Sequence, residues 1–540
     1  MTDSSAAAKP QKGFLAWVER TGNKLPDPVF IFFYLILFLI AVSLVCVFMG
    51  VTAAHPTQVD AGGNVVVLKA KSLLSPDNIQ KLWVDMPKTF THFHPIGYVL
   101  VVMLGAGVAE RSGLFASAIR AALRNAPVAL LTPVVALVAM LSNHAADAGY
   151  VVMIPLAAII FAAAGRHPLA GIACGFAGVS GGFSANIFPG QLDALLYGIT
   201  ESAYEASAID AGWTSNIAGN WWFIVALLVI YLPLIWFVTD KIIEPRLGKW
   251  IPENDGDAVA SAYGEEDQPL TAEQHKGLRW ALLALIGVCL TWAVMTFAPG
   301  TPLINEAACP TADAEAGLCA SVSNYSPFFR SLVGGFMVLF LLTGWAYGKA
   351  AGTIKSQKDL IDMMSEAMKD MGYYLVLMFF AAHFVAMFGW SNLGPISAIH
   401  GAGAIQSSGL PMPIVLGLIV ILSAVLNLFV GSASAKWALL APVLVPMLML
   451  LGISPDAATA VYRVGDGATN IITPLMVYFP LVLVFAQRWK RDFGLGSLTA
   501  MMIPYSVWML ISGVILVMVW IVLGLPFGPG APATISLVTG

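Results

Sequence analysis

Apolar runs of about 20 residues follow one another along almost the whole chain, separated by short polar segments. A helix needs about 20 apolar residues to cross a bilayer, so each run predicts a transmembrane span. The first run lacks the small-residue cleavage site of a signal peptide and is interpreted as the first span. Nine spans are predicted, at roughly 27–51, 94–110, 168–200, 219–240, 278–298, 326–347, 372–391, 455–486 and 499–524.

Two further apolar segments, 127–164 and 411–453, are interrupted near their centres by "LSNHAADAG" and "NLFVGSASAKW". Each arm has about 15 residues, which is short for a bilayer crossing. We therefore expect two re-entrant hairpins, whose tips are buried in protein or face a water-filled cavity. The alternative is two pairs of ordinary spans joined by tight turns.

The second arm of each hairpin and the span after it form an internal repeat. "YVVMIPLAAIIFAAAGRHPLAGIACGFAG" aligns with "WALLAPVLVPMLMLLGISPDAATAVYRVG", and three residues of slippage later "SANI" meets "ATNI". By the span count the two hairpins enter from opposite sides, so the halves are inverted. Inverted repeats with discontinuous helices are typical of secondary transporters, which bind substrate at the repeat interface. The matched pairs are Tyr150 with Trp437, Pro155 with Pro442, Gly165 with Gly452, Pro168 with Pro455, Gly178 with Gly465 and Asn186 with Asn470.

The third and eighth spans each contain a sequence that weakens a helix, "GVSGGFSANIFPGQLD" and "VGDGATNIITP" respectively. Glycine is a poor helix former, and Pro189 or Pro474 removes a backbone donor, so both spans are expected to unwind there. Backbone groups exposed at such breaks can hold a cation or an anionic substrate group. We expect the two hairpin tips to meet the two breaks and form a paired site.

Composition narrows the function. The 540 residues are 58% hydrophobic and 11% charged, which is typical of polytopic membrane proteins. The net charge of −4 and the short basic clusters argue against a nucleic-acid partner. No Walker, GxSxG or HExxH motif lies on the spans, so an ATP-driven pump and an intramembrane enzyme are disfavoured. No cofactor is expected beyond a coupling ion, H⁺ or Na⁺.

Lys and Arg in the short loops orient the spans, because these residues are enriched on the cytoplasmic side. Their clusters predict that the N-terminus is inside and the C-terminus outside. Cys309 and Cys319 then share an outer loop where a disulfide would persist, although their spacing does not establish the bond. The predicted divisions are a cytoplasmic N-terminus 1–26, a first membrane half 27–239, a cytoplasmic loop 240–279, a second half 280–526 and an outer tail 527–540.

Several motifs carry a resemblance to a known family. "VERTGNKLPDPVFIF", "SNHAADAG", "FPGQLDALL", "GSASAKWALLAPVLVPML" and "YRVGDGATNIITPLM" resemble the p-aminobenzoyl-glutamate transporter (AbgT) family of the ion transporter superfamily, and the resemblance covers essentially the whole chain. It implies an all-α polytopic membrane protein with nine transmembrane helices plus two re-entrant hairpins. It also implies a homodimer in the bacterial inner membrane, in contact with lipid. The implied activity is motive-force-driven transport of p-aminobenzoyl-glutamate or efflux of sulfonamide antimetabolites.

The resemblance also implies functional positions within those motifs. They carry over as Asp193, Asn427, Ser434, Trp437, Pro455, Arg463, Asp466 and Pro474.

Arg463 offers a planar fork suited to a substrate carboxylate. Asp466 lies on the same helical face, so a structural ion pair with Arg463 is the alternative to a functional role. The flanking Gly465 and Gly467 favour function, since a simple helical salt bridge does not need them. Asp193 has no basic partner nearby in the sequence, which makes it a candidate proton carrier unless it lies at the outer mouth of its span.

Trp437 is interpreted either as a stacking partner for an aminobenzoyl ring or as an interfacial anchor. Asn470 joins the candidate substrate-binding residues. The hairpin-tip residues Asn143 and Asn427 are candidate Na⁺ ligands, with helix capping as the alternative. The remaining polar candidates are Asn186 for ion coupling, His144, Asp147 and His383 for a direct role, and His92 with His94, which have no third ligand for a metal site.

The expected function is therefore secondary active transport of p-aminobenzoyl-glutamate or a related folate-pathway compound. A sodium-coupled dicarboxylate carrier of the same superfamily is the alternative. Neither the direction of transport nor the coupling ion follows from these residues.

Overall fold

The computed structural model describes residues 27–59, 64–124, 127, 130–145, 149–207, 209, 212–250, 269–298, 300, 302–303 and 326–537. Within them, seven helices are long and apolar enough to cross a membrane. The bent pair His94–Arg111 and Leu114–Leu123 gives an eighth if it is one span. The predicted class, an all-α polytopic membrane protein, is confirmed. The count of nine spans plus two hairpins stays a prediction.

The helices are Pro28–Phe48, Pro76–Val84, Met86–Thr91, His94–Arg111, Leu114–Arg124, Leu131–Leu141, Ile154–Ala163, Pro168–Phe176, Gln191–Ser207, Trp221–Val238, Glu244–Leu247, Ala272–Phe297, Ser326–Ala351, Gln357–Asp370, Gly372–Trp390, Leu393–Ser407, Met412–Asn427, Ala433–Leu450, Pro455–Asn470, Phe479–Trp489 and Leu495–Val522. A 3₁₀ turn covers Ser142–Ala145, and π-helical turns cover Gly149–Met153, Ala177–Gly181 and Thr239–Ile243. The strands Thr52–Val59 and Val65–Lys69 pair antiparallel. Below, Gln191–Ser207 is called the Asp193 helix and Pro455–Asn470 the Arg463 helix.

Each predicted hairpin segment contains two helices joined at a polar tip. The arms of the first are Leu131–Leu141 and Ile154–Ala163, and those of the second are Met412–Asn427 and Ala433–Leu450. Helix Ala433–Leu450 has 18 residues and is long enough to cross a bilayer. The predicted arm length of about 15 residues is therefore too short for this arm. Asp147, at the first tip, lies outside the described residues.

Two of the pairs matched by the internal repeat have the same structural roles. Gly165 and Gly452 each follow the second arm of a hairpin with positive φ, 72° and 80°, a conformation that favours glycine. Pro168 and Pro455 each begin the next helix, where their fixed φ suits the first turn. The repeat is therefore a repeat of structure as well as of sequence. Its inversion depends on membrane sides and stays a prediction.

The eighth predicted span breaks later than expected. The Arg463 helix runs without interruption through Gly-Asp-Gly to Asn470, and the irregular segment 471–478 separates it from Phe479–Trp489. The prediction that the polar half of this span is unwound is therefore wrong. In the third span, residues 182–190 are irregular, as predicted.

Close packing explains why the glycines do not break the Arg463 helix. A Cβ at Gly465 would lie 2.2 Å from the carbonyl oxygen of Val420, in the first arm of the second hairpin. A Cβ at Gly467 would lie 3.1 Å from the carbonyl oxygen of Gly181 in the other half. The glycines thus let neighbouring backbones approach, and tertiary packing overrides their low helix propensity.

The predicted outer tail packs against the start of the Arg463 helix. The amide of Ser454 donates to the carbonyl of Ala533 at 3.1 Å, and that of Ile535 donates to Gly452 at 2.9 Å. Phe527 is fully buried. The tail and the beginning of the eighth predicted span therefore lie together.

We expect Gly465→Ala to destabilise the protein by about 1–3 kcal/mol, because the added methyl group overpacks a contact with backbone rather than with an adaptable side chain. The measurement is thermal unfolding in detergent. Gly403→Ala is the matched control, since nothing lies within 4 Å of a Cβ at that helical position. Equal unfolding temperatures for the two variants would contradict the packing explanation.

Candidate functional site

A buried ion pair joins the two halves of the molecule. Arg463 Nη1 donates to Asp193 Oδ1 at 2.7 Å, and both side chains are almost completely buried. The amide of Gly190 donates to Asp193 Oδ2 at 2.8 Å, so both carboxylate oxygens accept a hydrogen bond. Asp193 has no basic partner nearby in the sequence, and the fold supplies one from 270 residues away. It also lies inside the protein rather than at the mouth of its span.

A second buried ion pair belongs to the second hairpin. The ammonium of Lys436 contacts Asp466 Oδ1 and also Asn427 Oδ1, and these three side chains are at most 2% exposed. Arg463 and Asp466 thus have separate partners of opposite charge. The alternative of a structural Arg463–Asp466 pair is wrong.

Asn427 ties the hairpin tip to the end of the Arg463 helix. Its Nδ2 lies 2.6 Å from the Asp466 carbonyl, 2.9 Å from Thr469 Oγ1 and 2.9 Å from Asn470 Oδ1. Its Oδ1, the atom that would ligate Na⁺, accepts from Lys436. A cation that belongs to the chain therefore occupies this position of the predicted sodium site.

The tip of the first hairpin approaches the first break. A Cβ at Gly190 would lie 2.5 Å from His144 Nδ1. The imidazole therefore packs against Gly190, whose amide donates to Asp193. Asn143 Nδ2 donates locally to the Met140 carbonyl at 2.8 Å, as a helix-end contact does. Asn186 Nδ2 donates to the Phe183 carbonyl at 3.2 Å. The hydrogen bonds described for Asn143 and Asn186 are thus local, unlike the contact between Asn427 and Asn470 in the second half.

Trp437 lies in the interior. Its ring stacks on Tyr462 at a centroid distance of 4.6 Å, and its Nε1 donates to Thr200 Oγ1 at 2.9 Å. The side chain is 0% exposed, so it is neither at an interface with lipid headgroups nor open to a ligand in this conformation. Ser434 Oγ lies 3.2 Å from Ser432 Oγ at the start of the same helix, and Pro474 lies half-buried in the second break.

The other candidates are placed elsewhere or are not described. His383 Nδ1 lies 2.7 Å from the Phe379 carbonyl of its own helix. His92 Nδ1 contacts Thr91, whereas His94 contacts glutamates of the Asp193 helix. Cys309 and Cys319 lie outside the described residues, so their disulfide stays a prediction.

Further contacts join the two halves of the chain near the ion pairs. Ser184 Oγ, in the first break, donates to the Arg463 carbonyl at 3.4 Å. Tyr150 of the first hairpin stacks on Tyr478 of the second break, with centroids 4.2 Å apart. Residues of both halves thus lie together in one region, and its role as a paired site stays a prediction.

Several buried polar atoms of this region have no hydrogen-bond partner within the described chain. Arg463 keeps Nε and Nη2 unpaired, and Asp466 keeps Oδ2 unpaired. Unpaired buried polar atoms cost free energy, and in native proteins they often face water or a ligand. A guanidinium edge suits a carboxylate, and a carboxylate oxygen suits an amine hydrogen. His144 Nε2 and Asn186 Oδ1 are unpaired in the same way.

Sequence reasoning missed two charged residues of this region. Lys436 lies within an apolar segment, where a lysine is itself a functional signal. Asp456 follows Ser-Pro, which reads as a helix start. In the structure it is buried and accepts from Tyr197 OH at 2.8 Å and from Trp213 Nε1 at 2.9 Å. Nothing in the sequence connects it with Tyr197.

Comparison with known proteins identifies the family. The model of the AbgT transporter family matches residues 13–535. The chain belongs to this family. A relative is the p-aminobenzoyl-glutamate transport protein of Escherichia coli (strain K12), 36% identical over 535 residues, which are 98% of this chain and 99% of the relative.

Two solved structures from the AbgT family are also similar. The YdaH transporter of Alcanivorax borkumensis is 40% identical, with a TM-score of 0.83 over 93% of this chain and 100% of its own. MtrF of Neisseria gonorrhoeae, described as illuminating a class of antimetabolite efflux pumps, is 40% identical, with a TM-score of 0.85 over 96% of this chain and 100% of its own. The protein is thus a multi-pass membrane transporter and not an enzyme, as predicted.

The two ion pairs predict a specific pattern of rescue. Asp466→Asn should destabilise the protein by about 3–5 kcal/mol, because it leaves the ammonium of Lys436 buried without a counter-charge. Lys436→Met combined with Asp466→Asn should restore folding. Arg463→Gln combined with Asp466→Asn should not, because Arg463 is paired with Asp193.

The measurement is monodispersity and thermal unfolding of the purified variants in detergent. Rescue by the Arg463 combination and not by the Lys436 combination would contradict the observed pairing.

Proposed function

We propose that this protein is a secondary active transporter of p-aminobenzoyl-glutamate or related folate-pathway compounds, and that protons drive it. The observation that carries the proposal is the buried Arg463–Asp193 pair between the two halves of the chain, with two nitrogens of Arg463 unpaired. The glutamyl part of the substrate offers carboxylates to this guanidinium. The aromatic amine offers hydrogens to Asp466 Oδ2. The relative from Escherichia coli, named for this substrate, supports the assignment.

Proton coupling is favoured over sodium coupling by Lys436. Its ammonium lies on the oxygens of Asn427 and Asp466, where a coupling Na⁺ at the second hairpin would need to bind. Asp193 supplies the proton site in this proposal. Protonation would remove the charge that Arg463 Nη1 contacts and would leave the guanidinium to the substrate carboxylate.

Sulfonamide antimetabolites are the second substrate class of the proposal. They share the aminobenzene group of p-aminobenzoyl-glutamate, and MtrF, at 40% identity, is described with antimetabolite efflux pumps. Whether the substrate moves with or against the protons is read out in the same experiment.

Labelled p-aminobenzoyl-glutamate in proteoliposomes tests the function. We expect an imposed proton gradient to drive net transport and an imposed sodium gradient to have no effect. Asp193→Asn leaves Arg463 without its counter-charge and should lower the unfolding temperature. In the folded fraction it should abolish gradient-driven transport and leave substrate binding measurable, because the carrier of the proton is needed for the cycle rather than for recognition. Asp362→Asn, on an exposed surface helix, is the control. Sodium-driven transport, or full proton-driven transport by Asp193→Asn, would contradict the coupling proposal.

The proposed placement is the bacterial inner membrane, with the N-terminus cytoplasmic, the C-terminus outside and two copies forming a homodimer. The loop cations support this orientation. The particle mass in detergent tests the dimer.

For the orientation, a membrane-impermeant thiol reagent on intact cells should label Cys309 and Cys319 only after reduction. Cys309→Ser with Cys319→Ser is the control for other cysteines. Labelling only after lysis would contradict the orientation.

A further inference from the structure

The Asp193 helix carries an acidic or hydroxyl side chain at every fourth position of one face. Residues four apart on a helix lie above one another, about 6 Å apart along the axis. The series therefore connects the buried ion pair with the far end of the helix, about 18 Å away. Its members are Asp193, Tyr197, Glu201 and Glu205.

The outer part of the series is connected by a second helix. His94 Nε2 lies 3.1 Å from Glu205 Oε2, and His94 Nδ1 lies 3.7 Å from Glu201 Oε2. Tyr98 OH donates to Glu201 Oε2 at 2.8 Å. One imidazole thus bridges two carboxylates that lie one helical turn apart.

Exposure falls steadily along the face. The side chain of Glu205 is 60% exposed and that of Glu201 is 18% exposed. Tyr197 and Asp193 are 1% and 2% exposed. A cavity of about 480 Å³, lined in part by His94, Ser202 and Glu205, opens at the exposed end. Solvent therefore reaches one end of the series, and the other end is sealed in protein.

The inner part of the series also has a titratable partner. Tyr197 OH donates to the buried carboxylate of Asp456 at 2.8 Å. The backbone carbonyl of Asp456 accepts from Asn220, and Asn220 Oδ1 lies 3.4 Å from Arg463 Nη1. This places the Tyr197–Asp456 pair next to the ion pair proposed to bind the proton and the substrate.

We propose that this face of the Asp193 helix is the route by which protons move between the cavity and Asp193. The inference rests on the proposed proton coupling and names the residues that serve it. In the predicted topology the cavity faces the outside. The groups on the route are Glu205, His94, Glu201, Tyr197, Asp456 and Asp193.

The first step is a relay through His94. The carboxyl group of Glu205 gives its proton to Nε2 of the neutral imidazole, and Nδ1 then gives its proton to the carboxylate of Glu201. The imidazole returns to neutral in its other tautomer, so charge and protons balance. Between Glu201 and Asp193 successive groups are about 6 Å apart along the helix, so the proposed transfers past Tyr197 and Asp456 each require a bridging water.

Other charged groups face this route from the elements packed against it. Arg330, in helix Ser326–Ala351, interacts electrostatically with Tyr98. Arg463 faces the inner end of the route. Asp85 and Lys88 line the cavity together with His92.

Two variants distinguish a proton-carrying role of Glu201 from a purely structural role. Glu201→Gln keeps an acceptor for Tyr98 but cannot carry a proton as a carboxylate does. Tyr98→Phe removes the hydrogen bond between the helices but leaves the carboxylate in place. If Glu201 carries protons, Glu201→Gln is therefore the variant that impairs transport. If Glu201 only holds the two helices together, Tyr98→Phe is the variant that impairs it.

The experiment compares two readouts in proteoliposomes with labelled p-aminobenzoyl-glutamate. One is net transport under an imposed proton gradient, and the other is exchange of labelled for unlabelled substrate at equal pH, which needs no net proton movement. We expect Glu201→Gln to lose most of the gradient-driven transport and to keep exchange. Tyr98→Phe should keep both. Glu366→Gln, an exposed carboxylate on helix Gln357–Asp370, is the control and should also keep both.

Wild-type gradient-driven transport by Glu201→Gln would overturn the route, as would equal loss of both readouts in that variant. If Glu201→Gln is poorly folded, Glu205→Gln takes its place, because that side chain is largely exposed. Failure of the wild-type protein to exchange the substrate would overturn the proposed function itself. Net transport by the wild-type protein driven by a sodium gradient alone would overturn the route and leave the substrate assignment standing.

Discussion

The pairing of buried charges is the constraint on which the rest of the structure depends. A charged side chain within a membrane-spanning protein is costly unless an opposite charge lies beside it. Here Arg463 pairs with Asp193 in the other half of the chain, and Lys436 of the second hairpin pairs with Asp466 in the Arg463 helix. Both pairs include a residue of the Arg463 helix, so this helix must remain in contact with the third predicted span and with the second hairpin at once.

Two glycines allow the Arg463 helix to pack closely against both neighbours. Gly465 faces the backbone of the second hairpin and Gly467 faces the first break, so the helix approaches both neighbours at backbone distance. The same arrangement recurs in the first half, where a Cβ at Gly178 would lie 3.1 Å from the Ala136 carbonyl of the first hairpin. The repeat therefore preserves the spacing between hairpin and following helix, while the charged groups differ between the halves.

Much of the architecture could be predicted from local signals. The proline that begins each helix after a hairpin and the glycine that ends the arm before it act within a few residues, so their pattern is readable in the sequence. The helix Gln357–Asp370 also has such a signal, the capping box of Ser356 with Asp359, which the prediction overlooked.

The partners in the site could not be predicted, because the fold brings them together over long separations. Asp193 and Arg463 are 270 residues apart, and Tyr197 and Asp456 are 259 apart. The helical state of Gly-Asp-Gly likewise depends on neighbours that a local propensity does not represent.

The buried ammonium of Lys436 affects how much charge one transport cycle can move across the membrane. An ion bound from solution enters and leaves with each cycle and contributes to the current across the membrane. The ammonium of Lys436 is covalently part of the chain and already lies against Asn427 and Asp466, so it cannot be released to either compartment. In the proposed cycle, the charge moved across the membrane is therefore set by the cargo and by the proton at Asp193, whereas the Lys436–Asp466 pair is neutral as a whole and stays with the protein.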